Sequence, residues 1–168
     1  MQPTHAEIAT IEVLYRQHSP ALVLFAVALT GERSRAQDAV HQVFLKLLER
    51  GSLEHAIDAK AYLFACVRNA ILNDAKVRER DVPLNQESIW FDPPNRDYAA
   101  ELSLRRALGA LSDDQRQVTV LHIWGELTFS QIADLLGVSP NTVASRYRYA
   151  LAKLRDAMCT QEEPCASP

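Results

Sequence analysis

Asn141, Ser145, Arg148 and Tyr149 carry the clearest chemistry in this chain. At about 100° per residue they fall on one side of a helix, with Thr142, Arg146 and Lys153 at its edges. An amide, hydroxyls and guanidinium groups at the start and middle of a helix can hydrogen-bond base edges and hold phosphates in a major groove. A second polar line, Tyr62, Asn69, Asn73, Lys76 and Arg80, advances by seven, four, three and four residues and so stays on one helix face. An aromatic ring, two amides and two cations suit a single-stranded nucleic acid: the ring stacks, the amides meet base edges, the cations meet phosphates. Taken alone, each set also describes an ordinary solvated helix face. No catalytic set competes with them. His5, His18, His41, His55 and His122 are scattered without metal-ligand spacing, and there is no GxSxG and no glycine-rich phosphate loop. No enzymatic activity, metal or cofactor is expected.

The elements around the first set raise its weight. Thr128 with Gln131 has the spacing of a capping box, and Ile132, Ala133, Leu135 and Leu136 supply an inward side. Gly137 can close that helix in the left-handed conformation. After Val138, Ser139 caps a new helix and Pro140 takes its first turn. Val143, Tyr147, Ala150, Leu151, Leu154 and Met158 recur at helical spacing and are expected to be buried. Two capped helices joined by a Gly-Val-Ser turn predict a helix-turn-helix, which points to nucleic-acid binding.

Upstream, the spacing predicts a helical pair over 6–30, with Ile8, Ile11, Leu14 and Tyr15 in one stripe and a restart at Ser19-Pro20 before Leu22, Phe25, Ala26 and Leu29. Ser34 with Gln37 predicts a capping box that opens a helix to about Glu49. Its core stripe is Ala36, Val40, Val43, Phe44 and Leu47; its opposite face is Asp38, His41, Gln42, Leu45 and Glu49. Leu45 is either a stray exposed leucine or the apolar centre of a docking patch with a polar rim. A loop follows to Asp58. A long helix runs from Lys60 to about Arg80, with Leu63, Val67, Ala70 and Ile71 inward. Pro83, Pro93 and Pro94 break the pattern over residues 81–99, an acidic linker. Helices resume from Glu101 to Leu111 and from a Ser112–Gln115 cap to about Trp124, with Val118, Leu121 and Ile123 as core. Residues 159–168 read as a flexible tail. The fold class is therefore all-α: two small helical domains, 1–80 and 100–158, joined by an irregular linker.

The bulk properties fit that class. The chain has 168 residues, 48% of them hydrophobic, enough for real cores. No apolar run approaches the roughly 20 residues of a membrane span, so no membrane insertion is expected. The first residues lack a basic-then-apolar signal pattern, so the expected location is cytoplasmic. Cys66, Cys159 and Cys165 form no CxxC pair; Cys66 reads as a small core residue, the other two as tail thiols. The net charge of −3 is unusual for a DNA binder, because Lys and Arg on phosphates supply most non-specific affinity. No segment is strongly cationic, which favours a partner that supplies the missing affinity.

Together these residues resemble the extracytoplasmic-function (ECF) sigma factors of the sigma-70 superfamily, over roughly residues 10–157. ALGALSDDQRQVTVLHIWGELTFSQIADLLGVSPNTVASRYRYALAKLR is similar to the family's σ4 domain, through its L-S-x-x-Q-R start, G-x-L-T, L-G-V-S and T-V-x-S-R. AQDAVHQVFLKLLE resembles the core-polymerase-binding helix of σ2, and AYLFACVRNAILNDAKVRER the helix that meets the promoter −10 element. The resemblance implies a σ2-like helical bundle, a σ4-like helix-turn-helix domain and a bacterial core RNA polymerase partner. By motif position Asp38, Gln42, Leu45 and Glu49 would face the β′ clamp helices, with the β subunit as a further contact. Arg68 and Asn69 match the family's R-N pair near −10 DNA, joining Tyr62, Asn73, Lys76 and Arg80. Thr142, Ser145 and Arg146 match the conserved part of the −35 recognition helix, beside Asn141, Arg148 and Tyr149. Promoter DNA and an anti-sigma factor are the other implied partners. Ala144, Tyr62 and Ala65 depart from the residues common in the family. The linker, with Ile89-Trp90-Phe91, would thread the polymerase and order there; the alternative is that Trp90 and Phe91 pack on σ2 or σ4. Two other functions compete. A free-standing regulator with a LuxR-like DNA-binding domain would need an N-terminal receiver or ligand domain, and none is visible. A degenerate sigma-like protein that titrates an anti-sigma factor would not support transcription.

Overall fold

A computed structural model describes residues 4–50, 58–78 and 106–159. The predicted loop before Asp58, the linker 81–99 and the tail from Thr160 lie outside them. Every regular element among the described residues is a helix: α1 His5–Thr30, α2 Arg33–Arg50, α3 Ala59–Arg78, α4 Asp113–Ile123, α5 Phe129–Leu136 and α6 Pro140–Cys159, with residues 106–109 also helical. The chain divides into two compact units, Met1–Phe91 with Val120–Leu127, and Asp92–Thr119 with Thr128–Pro168.

In the first unit, α1 starts on a capping box. Thr4 and Glu7 exchange hydrogen bonds, and the bond from the Thr4 backbone N–H, then that from its hydroxyl, holds the Glu7 carboxyl below its ordinary value. Gly31 ends the helix at φ 70°, where its N–H reaches Val27 O at 2.8 Å. The expected restart at Ser19-Pro20 does not occur. Pro20 sits inside one continuous helix. It forfeits one backbone hydrogen bond, but Leu22, Phe25, Ala26, Val27 and Ala28, just after it, are all buried against the neighbouring helices. Burying that run outweighs the lost bond.

The α2 stripe is as expected: Ala36, Val40, Val43, Phe44 and Leu47 are all buried. Its start differs. Glu32 stands at the helix entrance, its carbonyl taking the Ala36 N–H at 3.1 Å and its own N–H given to Thr30 Oγ1 at 3.2 Å. Ser34 therefore lies inside the first turn, donates to the Glu32 carboxylate at 2.7 Å, and forms no box with Gln37. On α3, Leu63, Val67 and Ile71 are buried and Ala70 is half-buried; Phe64, missing from the expected stripe, is fully buried and sets its ring against Phe25, 5.5 Å between centroids at 69°. Arg35 donates to Asp74 at 3.2 Å, joining α2 to α3. Gly125 belongs to this unit, and the position admits no side chain: a Cβ there would meet Leu121 O at 2.5 Å and Phe64 Cζ at 3.1 Å.

His18 on α1 gives this unit a pH dependence. Burial, then the Lys60 ammonium, holds the imidazole below its ordinary 6.5, against the opposing pull of Asp58 and Glu126. The unfolded chain therefore takes up a proton first as pH falls. The stabilisation is whole above pH 6.5 and is lost as pH drops below it toward the folded value. Urea midpoints at about pH 7.5 and about pH 5.5 should differ less in His18→Gln than in the wild type; an equal difference would remove His18 from the explanation.

In the second unit, Ser112 and Gln115 form the expected capping box, with bonds of 3.3 and 3.4 Å. Arg116 donates to Leu108 O and Leu111 O at 2.9 Å each and so ties residues 106–109 to α4. Val118 and Thr119 are fully buried, and the Thr119 hydroxyl returns to Gln115 O. In the part of α4 that belongs to the first unit, Val120 and Leu121 are buried as well, but Ile123 is 42% exposed. Two residues past Leu121 is roughly 200° around the helix, which turns Ile123 to the far side from the core.

Candidate nucleic-acid interface

The helix-turn-helix forms as its capping residues dictate. Thr128, at φ −71° and ψ 158°, accepts the Gln131 N–H at 3.2 Å and gives its own N–H to Gln131 Oε1 at 2.8 Å. Gly137 adopts φ 69°, and the Gly137 and Val138 N–H groups both turn back to Ala133 O. Ser139 Oγ accepts the Thr142 N–H at 3.1 Å, and Pro140 opens α6. Ile132, Ala133, Val143 and Ala150 make the buried seam, with Phe129 edge-on to Tyr147 at 5.5 Å. The expected stripe runs too far: Leu151 is 43% and Met158 64% exposed. The eight residues of α5 are too short to cover the twenty of α6. Losing one cap should be felt directly. Thr128→Ala is expected to cost about 1 kcal/mol of stability, and Thr128→Ser to recover most of it, in urea unfolding; an unchanged midpoint in the alanine variant would contradict the cap.

The polar face of α6 is presented as expected. Asn141, Arg148, Tyr149 and Lys153 are exposed, and Thr142, Ser145 and Arg146 half-buried. The Arg148 guanidinium lies over the Tyr149 ring, 5.4 Å from its centroid. Arg146 is not free: its Nη2 forms an ion pair with Asp114 Oδ2 at 2.7 Å. Ser112 and Gln115 of the α4 entrance, with Asn141, Thr142, Ser145 and Tyr149 of α6, wall an open cleft of about 420 Å³ beside that pair. The sequence singled out no residue of α4 for this face. Asp113-Asp114 after a serine cap reads as a complement to the helix dipole, and only the fold puts Asp114 next to Arg146.

The second polar line is presented on α3. Tyr62 is 41% exposed, Asn69, Asn73 and Lys76 are exposed, and Arg68 is half-buried. Arg80 lies outside the described residues. A hydrogen bond with the Cys66 thiol, then its charge, raises the Tyr62 phenol above its ordinary value.

Asp38, Gln42, Leu45 and Glu49 are all exposed on α2, Leu45 by 58%. Leu45 borders an apolar groove of about 510 Å³ between α1 and α2, with Ile8, Ile11, Tyr15, Phe44 and Leu48 as its other apolar walls. Tyr15 gives the groove a fixed edge: its ring meets Phe44 at 87° and its hydroxyl lies 3.1 Å from His41 Nε2. The sequence places Ile8, Ile11 and Tyr15 in one stripe of α1 without marking a groove wall. Among the described residues no cluster of His, Cys, Asp and Glu is placed to hold a metal, and no helix is long and apolar enough to cross a membrane.

Comparison with known proteins covers both units. The Sigma-70 region 2 family matches residues 14–81, and Sigma-70, region 4 matches residues 101–154. The chain is 31% identical over 158 residues to the ECF RNA polymerase sigma factor SigL of Mycobacterium tuberculosis, covering 89% of each chain. It is 28% identical over 140 residues to the ECF RNA polymerase sigma factor EcfG of Rhodopseudomonas palustris, covering 80% of this chain and 77% of the relative. Its fold is similar to that of the sigma factor RpoE from Bartonella quintana, solved with the anti-sigma factor NepR, at TM-score 0.74 and 24% identity over 92% of this chain and 99% of that one. It is also similar to CnrH, solved with the cytosolic domain of CnrY, at TM-score 0.60 and 23% identity over 91% and 89%. With the two sigma-70 regions in order along the chain and these relatives spanning nearly all of it, the protein belongs to the ECF sigma factors of RNA polymerase, in the sigma-70 superfamily.

Proposed function

We propose that this sigma factor directs bacterial core RNA polymerase to its promoters with two separate DNA-reading faces and a third face for the enzyme. Residues 1–80 form the σ2-like part and 100–158 the σ4-like part. The α6 face from Asn141 to Tyr149 reads the −35 element in duplex form. The α3 face, Tyr62, Arg68, Asn69, Asn73 and Lys76 with Arg80 beyond it, captures −10 bases once the strands part. Asp38, Gln42, Leu45 and Glu49 dock on the β′ clamp helices. The chain carries no chemistry of its own and works in the cytoplasm, where the polymerase is. The sigma factor RpoE, of similar fold, was solved with the anti-sigma factor NepR, which supports an anti-sigma partner here too.

The single observation behind this reading is that the two nucleic-acid faces are both solvent-presented, on helices of different units, and differ in chemistry. The α6 set suits base edges in a groove; the α3 set suits unpaired bases. With net charge −3, the isolated chain should bind duplex weakly, and core polymerase should confer specific binding. Gel shifts at physiological salt, with and without core, test this; tight and specific binding by the chain alone would overturn it.

Asn69 separates the steps. Its amide is exposed on α3, a different helix from α2, whose outer face is assigned to the enzyme. Asn69→Ala is expected to reduce open-complex formation, read by permanganate footprinting, more than it reduces polymerase binding. Normal melting in this variant would make Asn69 a plain surface residue.

A further inference from the structure

The Arg146–Asp114 pair bears on how tightly α6 can hold DNA. Its two members are unequally placed: the Arg146 side chain is 27% exposed and the Asp114 side chain 59%. One guanidinium nitrogen meets one carboxylate oxygen at 2.7 Å, so the pair is single-pronged, with the acid largely in water. An ion pair of this kind contributes little to the fold and is easily exchanged. Around it the cleft offers the Ser145 hydroxyl and the amides of Gln115 and Asn141, beside the Ser112 hydroxyl, which also accepts the Gln115 N–H, and the Thr142 hydroxyl, which lies 2.9 Å from Ser139 Oγ. Hydroxyl and amide donors beside an arginine are the groups that hold an anionic oxygen. Asp113 is not available to this site, because it pairs with Arg116 at 3.2 Å.

We propose that this cleft is a seat for one backbone phosphate of the −35 duplex, and that Asp114 occupies Arg146 in its place until DNA arrives. The inference rests on the reading of α6 as the −35 recognition helix and adds to it a residue on α4 that sets affinity. A carboxylate and a phosphate both present oxygens to a guanidinium, so the phosphate can take over the Nη2 donor without moving α6. The exchange carries a cost for the chain. The displaced Asp114 carboxylate is left beside the DNA and must take up a cation, which offsets one of the counterions that the phosphate releases. Asp114 thereby lowers the affinity of α6 for every duplex alike, since a phosphate carries no sequence information. A chain that holds back its own phosphate grip in this way relies on the polymerase to reach a promoter.

The test compares holoenzymes made with wild-type, Asp114→Asn, Asp114→Glu and Arg146→Ala chains. Binding to duplexes with the preferred −35 element and with single-base variants of it is titrated over a range of salt. In Asp114→Asn, affinity is expected to rise about two- to fivefold on every duplex. The slope of log affinity on log salt should steepen by about one. Asp114→Glu, which keeps the charge, should stay near the wild type, and Arg146→Ala should weaken binding on all duplexes. An Asp114→Asn holoenzyme that binds more weakly while Arg146→Ala also binds more weakly would make Asp114 a support for Arg146 and overturn the proposal alone. So would an unchanged slope with unchanged affinity. An Arg146→Ala holoenzyme with wild-type affinity and slope would overturn the reading of α6 together with the proposal.

Discussion

Leu45→Asp is expected to lower the affinity of this sigma factor for core polymerase by about 100-fold or more, because an unpaired charge buried at a contact costs several kcal/mol. The leucine is 58% exposed at the rim of the apolar groove between α1 and α2, next to Phe44 and Leu48. Nothing in the fold needs it there. The five core residues of α2 face the other way, so the substitution should leave unfolding within about 0.5 kcal/mol of the wild type. Val13 is equally exposed, at 60%, but does not line the groove. Val13→Asp therefore supplies the control: the same charge on an exposed apolar site, with association expected to stay within about threefold of the wild type. Labelled chain titrated with core polymerase gives both numbers. Equal losses in the two variants would mean that charge alone weakens binding and that Leu45 is no anchor.

Arg148→Ala should produce the next largest effect, and a different kind. Arg148 points away from the α5 seam and rests its guanidinium over the Tyr149 ring, which limits the orientations it must give up on meeting a base. A lost bidentate arginine contact costs about 1–3 kcal/mol at one base pair and relaxes preference there. Arg148→Ala holoenzyme should thus lose discrimination at one position of the −35 element and keep it at the others. Arg146→Ala should weaken all sites alike. A uniform loss in Arg148→Ala across single-base −35 variants would reverse the assignment of the two arginines.

What was legible in the sequence follows from how local the cause is. The Thr128–Gln131 and Ser112–Gln115 boxes, Gly137 and the α2 stripe depend on residues within a few positions of each other, and all form as expected. The polar faces of α3 and α6 were legible for the same reason, as helical periodicity fixes what shares a side. The errors arise where tertiary packing decides. Pro20 looked like a break, and only burial of the following run shows why the helix continues. Phe64 was absent from the α3 stripe because its partner, Phe25, is distant in the chain. Leu151 and Met158 keep helical spacing but lie along a helix longer than the one that covers it. The Asp114–Arg146 pair joins residues that no spacing rule connects. No strand occurs among the described residues, and the matches to both sigma-70 regions favour the sigma-factor reading over the LuxR-like one.

Run-off transcription with purified core polymerase tests promoter direction most directly. Core enzyme alone, core with the wild-type chain and core with Leu45→Asp would be given the same fragments of bacterial DNA, and the transcript starts mapped. The expected result is a small set of starts that appears only with the wild-type chain. These starts should share upstream elements at the −10 and −35 positions and fall sharply with Leu45→Asp. Starts identical to those of core alone, or a set that the chain adds without any shared upstream sequence, would contradict a promoter-specificity role.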